Sequence, residues 1–283
     1  MAEIIDGKLV SAAVRDEIRA EVSELTEKYG VKPGLAVILV GENPASCVYV
    51  RNKHKACLDV GMNSYVINMP ETTTEKELLD KIEELNSDGS VHGILVQLPL
   101  PKQINEDVII NAISKDKDVD GFHPYNVGRM MCGDPTFLPC TPYGIMKLLE
   151  FYKVDVSGKE CVVIGRSNIV GKPISSLLLS ASGTVTTCHS RTKDLKEVTR
   201  RADILVVAIG KSNFVTADMV KEGAVVIDVG INRSEDGKLY GDVDFNAVEP
   251  IASKITPVPG GVGPMTITML LKNTVKAAKN TLK

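Results

Sequence analysis

The chain has 283 residues, of which 43% are hydrophobic and 24% charged, as in a globular protein of two domains or one large one. A formal net charge of −3 disfavours a surface dedicated to nucleic acid or to acidic membranes. The acidic N-terminus lacks the layout of a secretory signal, and no apolar run reaches the ~18 residues that a membrane span needs. The six cysteines form no C-x-x-C pair and have no accompanying histidine spacing, so we expect reduced thiols, no metal site and a cytoplasmic protein.

Helices and strands alternate along the first half of the chain. The apolar periodicity predicts helices over about 8–29, 43–60 and 74–86, and strands over 34–40, 64–68 and 93–98. Thr74 with Glu77 three residues later is a capping-box pattern, which marks the start of the third helix. This alternation predicts an α/β domain with a parallel sheet.

The second predicted helix carries Ser46, Tyr49 and Lys53, spaced three and four residues apart. Residues with this spacing share one face of a helix. Two interpretations remain open for this stretch: an ordinary amphipathic helix with a solvated lysine, or one wall of an active site.

The strand predicted over 93–98 contains one polar residue, Gln97. Strands buried on both faces are near-continuous apolar runs, so this amide needs either a neighbouring loop or a ligand as its partner. In open α/β sheets, ligands bind beyond the carboxyl ends of the strands, and Gln97 lies at such an end.

The stretch 117–142 is rich in Gly, Pro, Asp and Asn and is predicted to be irregular. A long irregular stretch inside a compact protein is usually a functional loop or a domain hinge. We place the domain boundary at residue 139, followed by a helix over about 142–152. The first domain is then 1–139, completed by a C-terminal helix over about 266–283, and the second domain is 140–265.

The second domain reads as a further series of alternating strands and helices. Strands are predicted over 160–165, 184–189, 204–209 and 224–229, with a helix over about 170–182. The segment Val163–Pro173 (VIGRSNIVGKP) follows the first of these strands and opens the helix, as a dinucleotide-binding loop does. Ser167 stands where the second glycine of G-x-G-x-x-G would be, so the loop alone is a weak signal.

The end of the next strand indicates which dinucleotide the loop would bind. NAD-binding folds place a carboxylate there for the ribose 2′-hydroxyl, whereas Cys188–Thr192 (CHSRT) contains none. Ser190 and Arg191, with Arg166 from the loop, are suited to a 2′-phosphate instead. The sequence therefore favours NADP over NAD, with solvated surface charge as the other interpretation of the two arginines.

Six motifs together resemble one enzyme family along essentially the whole chain. They are YVRNK (Tyr49–Lys53), VQLPLP (Val96–Pro101), DVDG (Asp118–Gly121), PCTP (Pro139–Pro142), GRSNIVGKP (Gly165–Pro173) and PVPGGVGPMT (Pro257–Thr266). The set resembles the bifunctional methylenetetrahydrofolate dehydrogenase/methenyltetrahydrofolate cyclohydrolase family, the FolD-type enzymes.

The resemblance implies a fold, two reactions and a cofactor. It implies two α/β domains that flank a cleft, the C-terminal one a Rossmann-type NADP-binding fold, usually in a homodimer. The implied reactions are NADP-dependent oxidation of 5,10-methylenetetrahydrofolate to the 5,10-methenyl form and hydrolysis of that form to 10-formyltetrahydrofolate. The implied partners are one-carbon derivatives of tetrahydrofolate, with no nucleic acid and no membrane.

The resemblance also implies roles for individual residues. Lys53 would be the catalytic lysine, Gln97 its partner, Tyr49 a packing surface for the folate rings, and Asp120 the anchor of the pterin. The implied substrate-binding set is Tyr49, Lys53, Val96, Gln97, Leu98, Asp120, Pro259, Gly260, Gly261, Val262 and Gly263. The cofactor-binding set is Thr141, Gly165, Arg166, Ser167, Ser190, Arg191 and Ile231, of which Arg191 is supported by the 2′-phosphate reasoning above.

The chemistry of these residue types is consistent with the implied roles. Hydrolysis of a methenyl cation requires water to lose a proton, and a lysine can accept it only if burial and a cationic substrate lower its pKa. Gln97 is neutral, so it can orient the amine without favouring the ammonium form as a carboxylate would. A carboxylate such as Asp120 can accept from two adjacent N–H donors of a pterin.

Four other functions are compatible with parts of the sequence. A short-chain dehydrogenase also uses Y-x-x-x-K, but there the nucleotide loop precedes the Tyr–Lys pair, and here it follows. A monofunctional dehydrogenase of the same family would lack the hydrolysis, and a shikimate-type NADP dehydrogenase would share the two-domain plan. A nucleotide-sensing module would bind NADP without folate-dependent reduction, and Lys53 and Gln97 would then be dispensable.

Overall fold

The computed structural model describes residues 1–234 and 237–282. Its strands are β1 (Glu3–Ile4), β2 (Gly34–Val40), β3 (Asn63–Met69), β4 (Gly93–Val96), β5 (Glu160–Ile164), β6 (Thr184–Cys188), β7 (Ile204–Val207), β8 (Val225–Asp228), β9 (Asn232–Arg233), β10 (Leu239–Tyr240) and β11 (Lys254–Ile255). Its α-helices are α1 (Gly7–Tyr29), α2 (Pro44–Asp59), α3 (Glu75–Ser87), α4 (Glu106–Ala112), α5 (Pro124–Met131), α6 (Cys140–Phe151), α7 (Gly171–Ser180), α8 (Leu195–Thr199), α9 (Phe245–Val248) and α10 (Val262–Asn280). A short 3₁₀ helix occupies Ala217–Met219. No helix within these ranges is both long and apolar enough to span a bilayer.

The chain divides into two compact units. Unit 1 comprises Met1–Ala12 and Thr141–Thr266, and unit 2 comprises Ala13–Cys140 and Ile267–Lys283. The sequence placed residues 1–12 in the first domain, whereas the structure groups them with the second, and the predicted domain division stays a prediction. The cause is a long-range pairing: β1 lies parallel to β11, with Glu3 opposite Lys254, which binds the N-terminus to unit 1.

Unit 2 is built on a parallel three-stranded sheet of order β3-β2-β4. All seven residues of β2 are buried, as expected of a central strand that is covered on both faces. Side chains of α3, including Leu78 and Ile82, pack with Ile38 and Ile94 of the sheet in one apolar core. The capping box predicted at Thr74 and Glu77 is present, since each side chain bonds the other residue's backbone amide.

The segment 117–142, predicted to be irregular, contains α5. The Nδ1 atom of His123 accepts a hydrogen bond from the Tyr125 amide at 3.1 Å, and Pro124 occupies the first turn, where its missing N–H costs nothing. Histidine is not among the usual capping residues, which is why this start was missed. The C-terminal helix also begins earlier than predicted, at Val262 rather than Thr266.

Unit 1 is built on a parallel six-stranded sheet of order β1-β11-β8-β7-β5-β6. The chain proceeds from β5 to β6 on one side and then crosses to β7 on the other, so the strand order reverses between β5 and β7. Nucleotides bind in the crevice at such a point, beyond the carboxyl ends of the strands. The apolar core of unit 1 contains Val162, Leu205 and Val226 from the three neighbouring strands β5, β7 and β8. The predicted α/β fold class is confirmed.

Candidate active site

Helix α2 presents Lys53 on its buried face. Asn43 Oδ1 accepts from the amides of Ala45 and Ser46, both at 3.1 Å, and this cap sets where the helix begins. The buried residues of the helix are Ser46, Val50, Lys53, Ala56 and Cys57. Lys53 is only 8% exposed, which excludes the solvated-lysine interpretation, whereas Tyr49 is 37% exposed.

The lysine amine is held by Gln97. Lys53 Nζ donates to Gln97 Oε1 at 2.9 Å, and Gln97 Nε2 donates to the Leu98 carbonyl at 2.8 Å. The predicted strand over 93–98 ends at Val96, so Gln97 is the first residue beyond it. The backbone N–H of Gln97 still donates to the carbonyl of Ile38 in β2. The oxygen and the nitrogen of the Gln97 side-chain amide therefore both have partners, and the orientation of this side chain is fixed.

Burial shifts the protonation of Lys53 and of the nearby Asp120 in opposite directions. Burial lowers the pKa of Lys53, and the charge of Asp120 opposes that shift only in part. Burial likewise raises the pKa of Asp120, which is opposed by Lys53. Burial thus shifts the equilibrium of Lys53 toward the neutral amine, the form that can accept a proton.

The loop that carries Asp120 is folded around Asp118. The carboxylate of Asp118 accepts from the amides of Phe122 at 3.2 Å and His123 at 2.9 Å, and from Asn126 Nδ2 at 2.8 Å. Asp118 is 3% exposed, so these bonds lie away from water and hold the loop firmly.

The same loop is fastened to the chain around residue 139 by α10. Asn273 Nδ2 donates to the carbonyl of Val119 at 2.8 Å and to that of Leu138 at 2.9 Å. Gly121 has φ = +78°, and a Cβ there would lie 2.7 Å from the Pro139 nitrogen. Only glycine fits this position, because it combines a left-handed backbone with a close approach of two chain segments.

The loop after β5 in unit 1 has the close packing of a nucleotide loop. Gly165 has φ = +125°, and a Cβ on it would lie 2.3 Å from the Ala208 carbonyl oxygen. A Cβ on Gly171, at the start of α7, would lie 2.3 Å from the Gly165 carbonyl oxygen. Ser167 Oγ accepts from the amides of Val170 and Gly171 at 3.2 and 3.3 Å, which allows a serine at the position where the motif has a glycine.

The predicted 2′-phosphate residues lie beside this loop. The Gly165 amide donates to the Cys188 carbonyl at 2.9 Å, which joins the loop to the end of β6. There Ser190 and Arg191 form an exposed turn, in which the Arg191 amide donates to His189 Nδ1 at 3.2 Å. Arg166 is also exposed, so its guanidinium is accessible to a ligand.

The remaining predicted residues are distributed over both units. Thr141 Oγ1 lies 2.9 Å from Thr266 Oγ1, and Ile231, which is 47% exposed, lies between β8 and β9. The predicted segment Pro259–Gly263 belongs to unit 1 and leads into α10, whereas Val96 and Leu98 flank Gln97 in unit 2. Unit 2 therefore brings Lys53, Gln97 and Asp120 together, and in unit 1 the predicted cofactor residues other than Thr141 follow strands β5, β6 and β8.

Two family models match the chain, one on each half. The model described as tetrahydrofolate dehydrogenase/cyclohydrolase, catalytic domain, matches residues 5–120. The model for the NAD(P)-binding domain of the same enzymes matches residues 139–282. The chain belongs to the tetrahydrofolate dehydrogenase/cyclohydrolase family.

Individual members of the tetrahydrofolate dehydrogenase/cyclohydrolase family match over nearly their full length. The "Bifunctional protein FolD" of Halalkalibacterium halodurans is 60% identical over 278 residues, which is 98% of this chain and 99% of that protein. The crystal structure of the bifunctional enzyme FolD from Campylobacter jejuni superposes with a TM-score of 0.97 at 55% identity, covering 99% of this chain and 100% of that one. The Trypanosoma brucei enzyme, complexed with NADP cofactor and inhibitor, superposes with a TM-score of 0.96 at 38% identity, covering 100% of this chain and 99% of that one.

The shikimate-type alternative shares only the fold. Shikimate 5-dehydrogenase from Thermus thermophilus superposes with a TM-score of 0.55 at 13% identity, covering 87% of this chain and 99% of that one. The members of the tetrahydrofolate dehydrogenase/cyclohydrolase family described above are 38–60% identical to this chain. The comparisons therefore do not favour the shikimate-type alternative.

Several residues of this family member that shape the site were not predicted from its sequence. Asp118 and Asn273 organise the loop that carries Asp120, and the first of them is signalled only by its place in the DVDG motif. Asp228 and Asp242, both buried, organise loops beyond β7 and β8 and lie in no motif that was singled out. In residues 1–234 and 237–282, no group of three or more His, Cys, Asp or Glu side chains could hold a metal ion.

Proposed function

We propose that this chain catalyses two successive reactions on a one-carbon derivative of tetrahydrofolate. The first is NADP-dependent oxidation of 5,10-methylenetetrahydrofolate to the 5,10-methenyl form, and the second is hydrolysis of that form to 10-formyltetrahydrofolate. The proposal rests on family membership over the full chain and on one structural observation: the buried amine of Lys53 bonded to the neutral amide of Gln97.

NADP, when bound, accepts the hydride from the one-carbon bridge of the folate. The residues of unit 1 fit this cofactor, because a Cβ at Gly165 or Gly171 would collide with backbone carbonyl oxygens, and glycines serve the tight turn and close packing of a dinucleotide-binding loop in this way. Ser190, Arg191 and Arg166 would hold the 2′-phosphate, since guanidinium groups bind phosphate through paired hydrogen bonds. Thr141 and Ile231 complete the proposed cofactor contacts.

Lys53 would act as the general base in the hydrolysis. A water oxygen bonds to the methenyl carbon and loses one proton to Lys53 Nζ. The lysine then returns this proton to one ring nitrogen as the bond from the carbon to that nitrogen breaks, and the remaining hydroxyl proton is released to solvent as the formyl C=O forms. This requires a neutral amine, which burial favours by lowering the pKa of Lys53. A cationic substrate would lower that pKa further.

Gln97 would orient Lys53 during this transfer. Its Oε1 accepts from the amine at 2.9 Å, and its Nε2 is bonded to the Leu98 carbonyl, so the acceptor always faces the lysine. A carboxylate in this position would favour the ammonium form and remove the base.

Asp120 and Tyr49 would bind the folate itself. A carboxylate can accept from two adjacent N–H groups on the pterin edge, and the loop around Asp118 holds Asp120 for that contact. The exposed ring of Tyr49 would pack against the folate ring system. Val96 and Leu98 in unit 2 are proposed as further substrate contacts, and the resemblance to the family implies the same role for Pro259–Gly263 in unit 1.

Three further properties are proposed from the resemblance to FolD-type enzymes. We expect a homodimer, a cytoplasmic location and no nucleic-acid partner, the last in keeping with the net charge of −3. Light scattering on the purified protein tests the first, and a monomer at micromolar concentration would contradict it.

One coupled assay tests the proposed function. Methylenetetrahydrofolate should drive reduction of NADP, and the absorbance of the methenyl product should then decay as it is hydrolysed. Reduction without decay would instead show a monofunctional dehydrogenase, and NADP binding without reduction would show a nucleotide-sensing module. Reduction driven by shikimate but not by the folate would show the shikimate-type activity.

A further inference from the structure

A buried carboxylate in unit 1 closes the loop that follows β7. Asp242 Oδ2 accepts from the amides of Ile209 at 2.7 Å and Gly210 at 2.9 Å, and its Oδ1 accepts from the amide of Lys211 at 2.8 Å. Gly210 has φ = +65°, so the three successive amides turn toward one point. Asp242 is fully buried, and these bonds are therefore shielded from water.

The same carboxylate reaches the loop that follows β8. Asn232 Nδ2 donates to Asp242 Oδ1 at 2.9 Å, which is the fourth hydrogen bond to this side chain. A Cβ on Gly230 would lie 2.3 Å from Asp242 Oδ1, so the backbone of the β8 loop packs directly against the carboxylate. Ile231, a proposed cofactor contact, lies between these two residues. Asp242 therefore fixes the loops after β7 and β8 relative to each other.

A second buried carboxylate holds Asp242 in place. Asp228 accepts from the amides of Gly230, Asp242 and Val243, each at 2.9 Å. A Cβ on Gly241 would lie 1.8 Å from Asp228 Oδ2, so glycine is required for this approach. The backbone of residue 242 cannot shift without breaking these bonds.

Both loops lie where one half of a bound dinucleotide would be. The loop after β5 receives the pyrophosphate in such folds, and the end of the next strand, here β6, receives the adenosine ribose. Strands β7 and β8 lie on the opposite side of β5 in the sheet, so the loops beyond them are on the side of the nicotinamide half.

We propose that Asp242 is a positioning residue for NADP, which shapes the loops after β7 and β8 to receive the nicotinamide half of the cofactor. This rests on the proposed use of NADP. The carboxylate would not touch the cofactor, because its oxygens are directed at the four donors already described.

The test compares the whole cofactor with a fragment that lacks the nicotinamide half. Calorimetric titration with NADP and with 2′,5′-ADP would be carried out on the wild-type protein, Asp242→Asn and the control Asp244→Asn. Asn at 242 points an NH₂ group at backbone N–H donors, so we expect NADP binding to weaken at least tenfold and 2′,5′-ADP binding to change by less than twofold. Asp244, which caps α9 through the Ala247 amide, is a matched carboxylate in the same segment, and its variant should bind both ligands normally.

A milder variant keeps the test decisive if Asp242→Asn does not fold. Asn232→Ala removes one of the four donors and leaves the carboxylate, so NADP binding should weaken by about threefold, again with 2′,5′-ADP unchanged. Equal weakening of both ligands, or no weakening of either, in the variants that fold would overturn the inference. A wild-type protein that binds neither ligand would overturn the proposed cofactor itself, and the two failures are thus distinguishable.

Discussion

Replacing Lys53 by methionine separates the proposed chemistry from the fold. Methionine has similar length and no amine, so the cavity stays filled while the proton acceptor is lost. A positioned general base contributes about 10²–10⁴-fold to a rate, which corresponds to about 2.7–5.4 kcal/mol of activation free energy. We therefore expect hydrolysis of methenyltetrahydrofolate to fall by that factor.

The effect of this change on stability should be much smaller. Gln97 Oε1 loses its donor, which costs about 1–3 kcal/mol if the oxygen stays dry, while the variant no longer has to bury an amine. These contributions oppose each other, so the free energy of unfolding should stay within about 2 kcal/mol of the wild-type value. NADP binding, which is assigned to residues of unit 1, should be unchanged.

The assay follows the decay of methenyl absorbance in the wild-type protein, Lys53→Met and Lys55→Met. Lys55 is exposed on the same helix, so its variant controls for the loss of one positive charge. Hydrolysis by Lys53→Met within twofold of the wild-type rate would refute the assignment of the base. Equal losses in both lysine variants would show that charge, rather than the buried amine, is responsible.

Three further predictions concern pH and cofactor choice. Gln97→Glu places a carboxylate beside Lys53 Nζ and favours the ammonium form, so the acidic limb of the hydrolysis pH profile should move to higher pH, and a superimposable profile would count against the pairing. Arg166→Ala should raise KM for NADP by about 10–100-fold and leave that for NAD nearly unchanged, because one charge-assisted contact to the 2′-phosphate is lost; equal changes for both would contradict this. Burial raises the pKa of Asp228 to about 6, so this carboxylate binds a proton more tightly in the native state than in the unfolded state. The stability of the wild-type protein relative to Asp228→Asn should therefore fall by about 3 kcal/mol as pH rises from about 3 to 7, and urea titrations that show no such trend would exclude it.

Helix α2 illustrates how much of the candidate site the local sequence predicts. Its start at Asn43 and Pro44, and the shared face of Ser46 and Lys53, follow from capping preferences and from the helical repeat. Whether the lysine on that face is solvated or buried depends on the strands and loops packed against it. The spacing of the motif left both possibilities open, and the 8% exposure of Lys53 decides between them.

The buried carboxylates of unit 1 could not be predicted from the local sequence. Nothing in the local sequence around Asp242 distinguishes a buried, four-donor carboxylate from an exposed one, since its donors come from residues ten or more positions away. The same holds for β1, whose two residues become a strand only because β11 lies beside them.

The sequence by itself determined the alternation of strands and helices, the position of the nucleotide loop and the set of motifs that identify the family, because these depend on apolar periodicity and residue type within short windows. Only the tertiary structure decided which unit the N-terminus joins, which polar groups are buried together and how their pKa values shift. Those properties depend on contacts between segments far apart in the chain, and the free energy of a buried charge is set by whatever surrounds it in space.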